Sequence, residues 1–127
     1  MKGYKIGIGE DSYSVFPVLI TLDIPEEYPG LRIIGNDYQF RSNVARVIKI
    51  KTRNGSNELN FAISCFDWGF IYRPGEIVFP DYFSPSPFLC MNGIHFFTDI
   101  NRAYWYMTQK WARSQLLNYG IIIRKKT

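Results

Sequence analysis

Alternating apolar and polar positions along most of the chain predict β-strands. The segment from Tyr13 to Pro25 is rich in β-branched residues and is predicted to be a strand. Pro17 places the beginning of that strand at a sheet edge or a bend, because proline has no N–H to donate. Residues 44–64 form two β-rich runs around Asn54-Gly55-Ser56-Asn57, which is the pattern of an antiparallel hairpin.

The first arm of this hairpin is predicted to have two unlike faces. Counting every second residue puts Val44, Ile48 and Ile50 on one face. The same count puts a basic stripe on the other face, formed by Lys49, Lys51 and Arg53. Such a stripe can follow the phosphates of single-stranded nucleic acid, or it can protect a sheet edge and keep the surface soluble. Both interpretations stay open on the pattern alone.

The second half of the chain predicts short strands and then a helix. Arg73-Pro74-Gly75-Glu76 suits a type II turn, with proline and glycine in the two central positions. In the short strand that follows Gly93, alternation places Ile94 and Phe96 on one face and His95 and Phe97 on the other.

A helix is predicted to begin at Thr98 or Asp99 and to end near Gly120. Its core-facing positions recur at helical spacing, at Ile100, Ala103, Tyr104, Met107 and Trp111. Residues 121–126 would return as a last strand. These patterns predict one domain over residues 1–127 with an α+β fold, in which a twisted, mostly antiparallel sheet carries one long C-terminal helix packed across it.

Composition and charge suggest an interaction surface. Aromatic residues make up 17% of the chain, more than core filling requires, so some are expected at an interface or a pocket. After Asp99 the chain has six basic residues and no acid. From this end of the chain, Lys110, Arg113 and Lys125 are candidates for contact with an acidic partner or a nucleic acid. A solvated helix face and tail is the alternative.

Several classes of protein are disfavoured by what the sequence contains. No apolar run approaches the length of a membrane span, and the first residues lack the apolar region of a signal peptide, so neither membrane insertion nor secretion by that route is expected. With one histidine and no Cys-x-x-Cys pair, no metal site and no cofactor are predicted. Cys65 and Cys90 are predicted to be buried, reduced thiols rather than a disulfide or a nucleophile, and no catalytic residue is assigned.

The segment from Gly93 to Tyr106 is similar to the strand-to-helix segment of ADP-ribosyltransferases of the diphtheria-toxin and poly-ADP-ribose-polymerase type. Gly93, Ala103 and Tyr106 match, and His95 stands where that family has the first of two nicotinamide-binding tyrosines. Arg41 or Arg73 would have to replace another element of the family, and no acid follows Asp99. The resemblance therefore implies a nucleotide- or NAD-binding fold without transferase activity.

A second resemblance extends over more of the chain. The pattern Tyr-x-x-Gly at Tyr72, then Cys90, then Gly-Ile-His-Phe-Phe from Gly93, preceded by Arg41-Ser42, resembles a family of short domains found in giant DNA viruses and phages. This resemblance implies a viral origin and a shared fold, and it implies no activity.

Together these observations predict a non-enzymatic viral protein that acts by binding, as a minor virion component or a host-interaction module. We expect it in the host cytoplasm or the virion, with a protein partner or virion neighbour, or with nucleic acid as the alternative. A candidate ligand site comprises His95, Tyr72, Arg73, Tyr104 and Tyr106. The alternative for His95 is a half-buried side chain that only holds the strand in place.

Overall fold

The computed structural model describes residues 1–25, 31–33, 36–64, 70–79 and 93–108. In these ranges the strands are β1 Lys2–Glu10, β2 Val15–Asp23, β3 Leu31–Ile33, β4 Asn36–Ser42, β5 Ala45–Thr52, β6 Ala62–Ser64, β7 Ile71–Tyr72, β8 Ile77–Val78 and β9 Ile94–Phe97, and the helix is α1 Ile100–Met107.

The strands form one sheet in the order β3-β4-β9-β1-β2-β5-β8, and β6 adds to β1 and carries β7 on its other side. Every described pairing is antiparallel. The helix follows the last described strand and packs on β1, β2 and β9. The predicted α+β class with a mostly antiparallel sheet is therefore confirmed.

Strand β1, which the sequence patterns did not predict, lies at the centre of the sheet. It pairs with β2 along its whole length, from Lys2 opposite Asp23 to Glu10 opposite Val15. Three glycines on one face, Gly3, Gly7 and Gly9, conceal its strand character, because glycine favours no regular element. They are needed for packing: a Cβ on Gly3 would lie 2.6 Å from Cδ2 of Phe96.

The curled sheet separates two apolar clusters. The inner core contains, among its buried members, Val18, Ile20, Leu22, Val47, Ile50, Ala62, Tyr72, Val78, Ile94 and Phe96. The helix-side core lies on the other face and contains Ile6, Ile8, Leu19, Ile63, Phe97, Ala103 and Met107. Neighbouring residues of β2 enter different clusters, as the alternation of strand side chains requires. The predicted separation of Ile94 and Phe96 from Phe97 is confirmed.

Strand β5 corrects one predicted facing. Val44 and Ile50 are buried as expected, but Ile48 is 41% exposed and Val47 is buried in its place. The register with β2 shifts between Thr21 and Leu22, so that Ile48 becomes an extra residue in the ladder. A bulge of this kind reverses the alternation that a residue count assumes.

The predicted hairpin is present but short. At its turn Gly55, with a φ of 74°, donates its N–H to the Thr52 carbonyl. The second arm stays beside β5 through a bond from the Thr52 N–H to the Asn57 carbonyl, a bridge between Lys51 and Glu58, and a bond from the Leu59 N–H to the Ile50 carbonyl. The chain then leaves β5, and β6 pairs with β1 and β7 instead.

The predicted turn after β7 is confirmed. Glu76 donates its N–H to the Arg73 carbonyl, and Gly75 has a φ of 87°, which suits a type II turn. The strands on its two sides do not pair with each other, because β7 joins β6 and β8 joins β5. The turn therefore connects two regions of the curled sheet.

Helix α1 begins as predicted, with the Asp99 carboxylate accepting the N–H of Asn101 at the N-cap. Its predicted length is wrong, because the helix ends at Met107 after eight residues. The Thr108 hydroxyl and backbone N–H both bond to the Trp105 carbonyl, which favours a tight final turn over a further helical one. The predicted positions Trp111 and Gly120 and the last strand lie outside the described residues.

Candidate functional site

His95 lies where the sheet divides. One edge of β1 pairs with β2. On its other edge, Tyr4 pairs with Phe97 of β9, and Gly7, further along, pairs with Ser64 of β6. The two strands thus share one edge and diverge beside Lys5. The imidazole is half-buried and, by alternation, points to the same face as Phe97.

Lys5 occupies this division of the sheet, and sequence analysis did not identify it. Its side chain is only 4% exposed. The ammonium donates to the His95 carbonyl at 3.0 Å and lies 5.9 Å from the centroid of the Tyr72 ring. The bond to the carbonyl and the contact with the ring offset part of the cost of burying a cation. The sequence did contain a signal, because Lys5 shares its face of the strand with glycines, whereas the residues of the other face on either side of it are Tyr4 and Ile6.

The structure divides the predicted ligand residues between two faces of the sheet. Tyr72 is buried in the inner core, whereas Tyr104 and Tyr106 pack against the helix-side core. Arg73 is exposed in the turn after β7. Only the two helix tyrosines share the face of His95, so the five side chains do not line a single cavity. Ligand binding by any of them stays a prediction.

The elements required by the ADP-ribosyltransferase resemblance are partly adjacent. The register of β4 and β9 places Arg41 opposite His95, and the Tyr106 ring lies 5.5 Å from that of Phe97. Arg41 is fully buried, however, and desolvation lowers the pKa of its guanidinium below the ordinary value. Because a ligand cannot reach a side chain in this position without a rearrangement, nucleotide binding also stays a prediction.

The predicted basic stripe is partly present. Lys49 lies opposite Thr21 and Lys51 opposite Leu19, so both share the outer, helix-side face of the sheet. Arg53 is exposed in the hairpin turn rather than in the strand. The other basic candidates, Lys110, Arg113 and Lys125, lie outside the described residues, as do both cysteines.

An exposed surface at the β5 and β8 end of the sheet combines apolar and basic side chains. We define the β5–β8 surface as Arg46, Ile48, Lys49, Ile77 and Phe79. Arg46 lies directly opposite Ile77 in the β5–β8 ladder, and the bulge turns Ile48 outward. Phe79 comes two residues after Ile77, so alternation places both on the same face. Ile77 is 48% exposed and Phe79 64% exposed.

Sequence reasoning identified only Lys49 of this surface as a site residue. Arg46, Ile77 and Phe79 were not considered as site residues, and Ile48 was placed on the face of Val44 and Ile50. The bulge and the pairing of β8 with β5 are long-range features that a residue count does not contain.

Comparison with protein families decides what the chain is related to. The model of a family described as "Family of unknown function (DUF5758)" matches residues 1–103. The chain belongs to this family. The DUF5758 match includes the nine strands of the described ranges and every residue of the β5–β8 surface. The description of the DUF5758 family assigns no activity. No curated protein and no solved structure matches the chain.

No helix in the described ranges has the length and apolar character needed to cross a membrane.

Proposed function

We propose that this DUF5758 protein acts by binding an acidic protein segment through the β5–β8 surface, and that it is not an enzyme. The observation that supports the proposal is the cross-strand neighbourhood of Arg46 and Ile77, which puts exposed apolar and basic side chains on one face. Because the candidate ligand residues are divided between two faces of the sheet, we place the binding site on the β5–β8 surface and not around His95.

The chemistry of the partner follows from the composition of this surface. Single exposed apolar residues are common, but three in one neighbourhood are typical of an interaction site. Ile48, Ile77 and Phe79 can bury apolar side chains of a partner. Arg46 and Lys49 can bind its carboxylates. Asp23 lies opposite Arg46 but also lies 3.8 Å from the N-terminal ammonium, so its charge is shared.

The origin of the partner is part of the same proposal. The resemblance to domains of giant DNA viruses supports a virion component or a host protein as the partner. The corresponding location is the virion or the host cytoplasm.

Nucleic-acid binding is the second candidate, and it is supported by Lys49 and Lys51 sharing one outer face towards Arg53. It is less favoured, because aliphatic side chains such as Ile48 and Ile77 contribute little to phosphate or base contacts. A nucleic-acid site would use the whole length of β5, whereas an acidic protein segment would use its β8 end.

A binding experiment distinguishes these candidates. Fluorescence anisotropy would compare a labelled copolymer of glutamate and tyrosine, polyglutamate of equal length and a single-stranded oligonucleotide. We expect the copolymer to bind about tenfold more tightly than polyglutamate, because its rings can bury apolar area on the surface. Ile77→Ser should remove most of this difference in affinity. Lys49→Glu should weaken the binding of both the copolymer and polyglutamate.

The matched control is Arg53→Glu, which reverses a charge at the other end of β5. Arg53 lies in the turn, four residues from Lys49, which corresponds to about 13 Å of extended chain and exceeds the Debye length of about 8 Å at physiological salt. Copolymer binding should therefore be nearly unchanged. Equal losses from Lys49→Glu and Arg53→Glu, with the oligonucleotide bound most tightly and strongly salt-dependent, would favour nucleic acid and contradict the proposal.

A further inference from the structure

The turn between β1 and β2 holds an exposed tyrosine on an ordered backbone. Asp11 Oδ1 accepts the N–H groups of Tyr13 and Ser14, each at 2.8 Å, and the Asp11 N–H donates to the Ser14 carbonyl at 3.0 Å. The Tyr13 side chain is 96% exposed. An aromatic side chain on a pre-ordered turn binds with little loss of conformational entropy, as in many interface anchors. We call residues 10–14 the Tyr13 turn.

The Tyr13 turn is acidic. It contains Glu10 and Asp11 and no basic residue. The Asp11 carboxylate is charged at neutral pH, and the backbone hydrogen bonds from Tyr13 and Ser14 lower its pKa further below the ordinary value. The turn thus combines an exposed ring with negative charge, which complements the apolar and basic groups of the β5–β8 surface.

These two complementary regions lie at opposite ends of the sheet. The Tyr13 turn precedes Val15 at one end of β2, and Arg46 lies opposite Asp23 at the other end. Asp23 comes eight positions after Val15 in the extended strand, which corresponds to about 26 Å. The turn therefore cannot reach the surface within the same copy.

We propose that the Tyr13 turn of one copy docks on the β5–β8 surface of a second copy, so that the chains associate head to tail. This inference depends on the proposed function, since it names the acidic segment that the surface binds. The two contacting regions differ, so each copy keeps one unused region after pairing. Such a heterologous contact continues into longer assemblies or closes into a ring.

The association is expected to be weak. A five-residue turn on a five-residue surface buries much less than the ~1,600 Å² of a standard stable interface. Assembly should therefore depend strongly on protein concentration and on salt.

Sedimentation velocity over a concentration series tests this inference with two variants at exposed positions. Tyr13→Ser disables the turn and Ile77→Ser disables the surface. We expect the wild-type sedimentation coefficient to rise with concentration, and each variant alone to remain monomeric over the same series. An equimolar mixture of the two variants should form dimers and nothing larger, because each copy retains one intact region. Ile48→Ser, a second surface variant, should behave as Ile77→Ser does.

A wild-type protein that stays monomeric at every concentration would overturn the inference, as would association that survives both variants. If the wild type self-associates but the equimolar mixture of the two variants remains monomeric, the interface is symmetric, and the inference is overturned. If the wild type is monomeric yet binds the glutamate–tyrosine copolymer, the second copy is excluded as the partner while the proposed function stands. Thermal melts by circular dichroism should show unchanged folding of each variant.

Discussion

Lys5 is a cation in the interior, and its surroundings account for its position. Strands β9 and β6 diverge beside it, and the ammonium donates to the carbonyl of His95. Gly3 and Gly7 flank it on the same face of β1, where a larger side chain would meet Phe96 or Ile20. The histidine thus contributes its backbone to the junction of three strands, which is a structural role.

Replacing Lys5 with methionine should test this role. The variant keeps the length of the side chain but leaves the His95 carbonyl without this donor. We expect the free energy of unfolding to fall by about 1–3 kcal/mol in denaturant titrations, as for the loss of a hydrogen bond to a charged group. Lys49→Met, at an exposed position, should change it by less than about 0.5 kcal/mol. An unchanged or increased stability for Lys5→Met would show that desolvation of the ammonium outweighs its contacts.

At the residue scale, sequence patterns predicted what local chemistry determines. Gly55 and Gly75 were assigned to turns from their neighbours, and both have positive φ. Asp99 was expected near the helix start and caps it. Lys5 could not be found in this way, because its burial depends on strands far away in the chain.

At the scale of elements, α1 is short and depends on its ends and its packing. An isolated helix of eight residues is not stable in water, so contacts of Ala103 and Met107 with the helix-side core must hold it. Asp99 at the N-cap satisfies an N–H that would otherwise bond only to water.

Removing the cap should destabilise the fold measurably. Asp99→Ala is expected to lower the free energy of unfolding by about 1 kcal/mol, because the Asn101 N–H loses its acceptor. Asp99→Asn keeps a side-chain oxygen at the cap and should lose only a few tenths of that value. Thermal and denaturant unfolding would compare the two. Equal losses for alanine and asparagine would indicate that charge near the helix start, and not the hydrogen bond, is responsible.

Three elements show where periodicity fails as a predictor. Strand β1 was missed because glycine at alternate positions conceals a strand that is defined by its partners. The facing of β5 was correct at Val44 and Ile50 but wrong at Ile48, because the bulge shifts the alternation by one residue. Helix α1 was extended too far, since apolar spacing alone does not show where a final turn tightens.

At the scale of the whole molecule, the α+β class followed from the order of strand-like and helix-like periods. The strand order did not, because most pairings join segments that are distant in sequence. The β5–β8 surface arises from such a pairing, and so the candidate binding region became visible only in the fold. Its distance from the Tyr13 turn, at the other end of the sheet, is likewise a property of the folded chain.

The most direct test of the binding proposal is a backbone amide NMR titration of the protein with the glutamate–tyrosine copolymer. We expect the largest chemical-shift changes at residues 46–49 and 76–79, with little change around Arg53 or around His95. Shifts that cluster along Lys51 and Arg53, or at His95 and Tyr106, or an absence of shifts at saturating copolymer, would contradict the proposal.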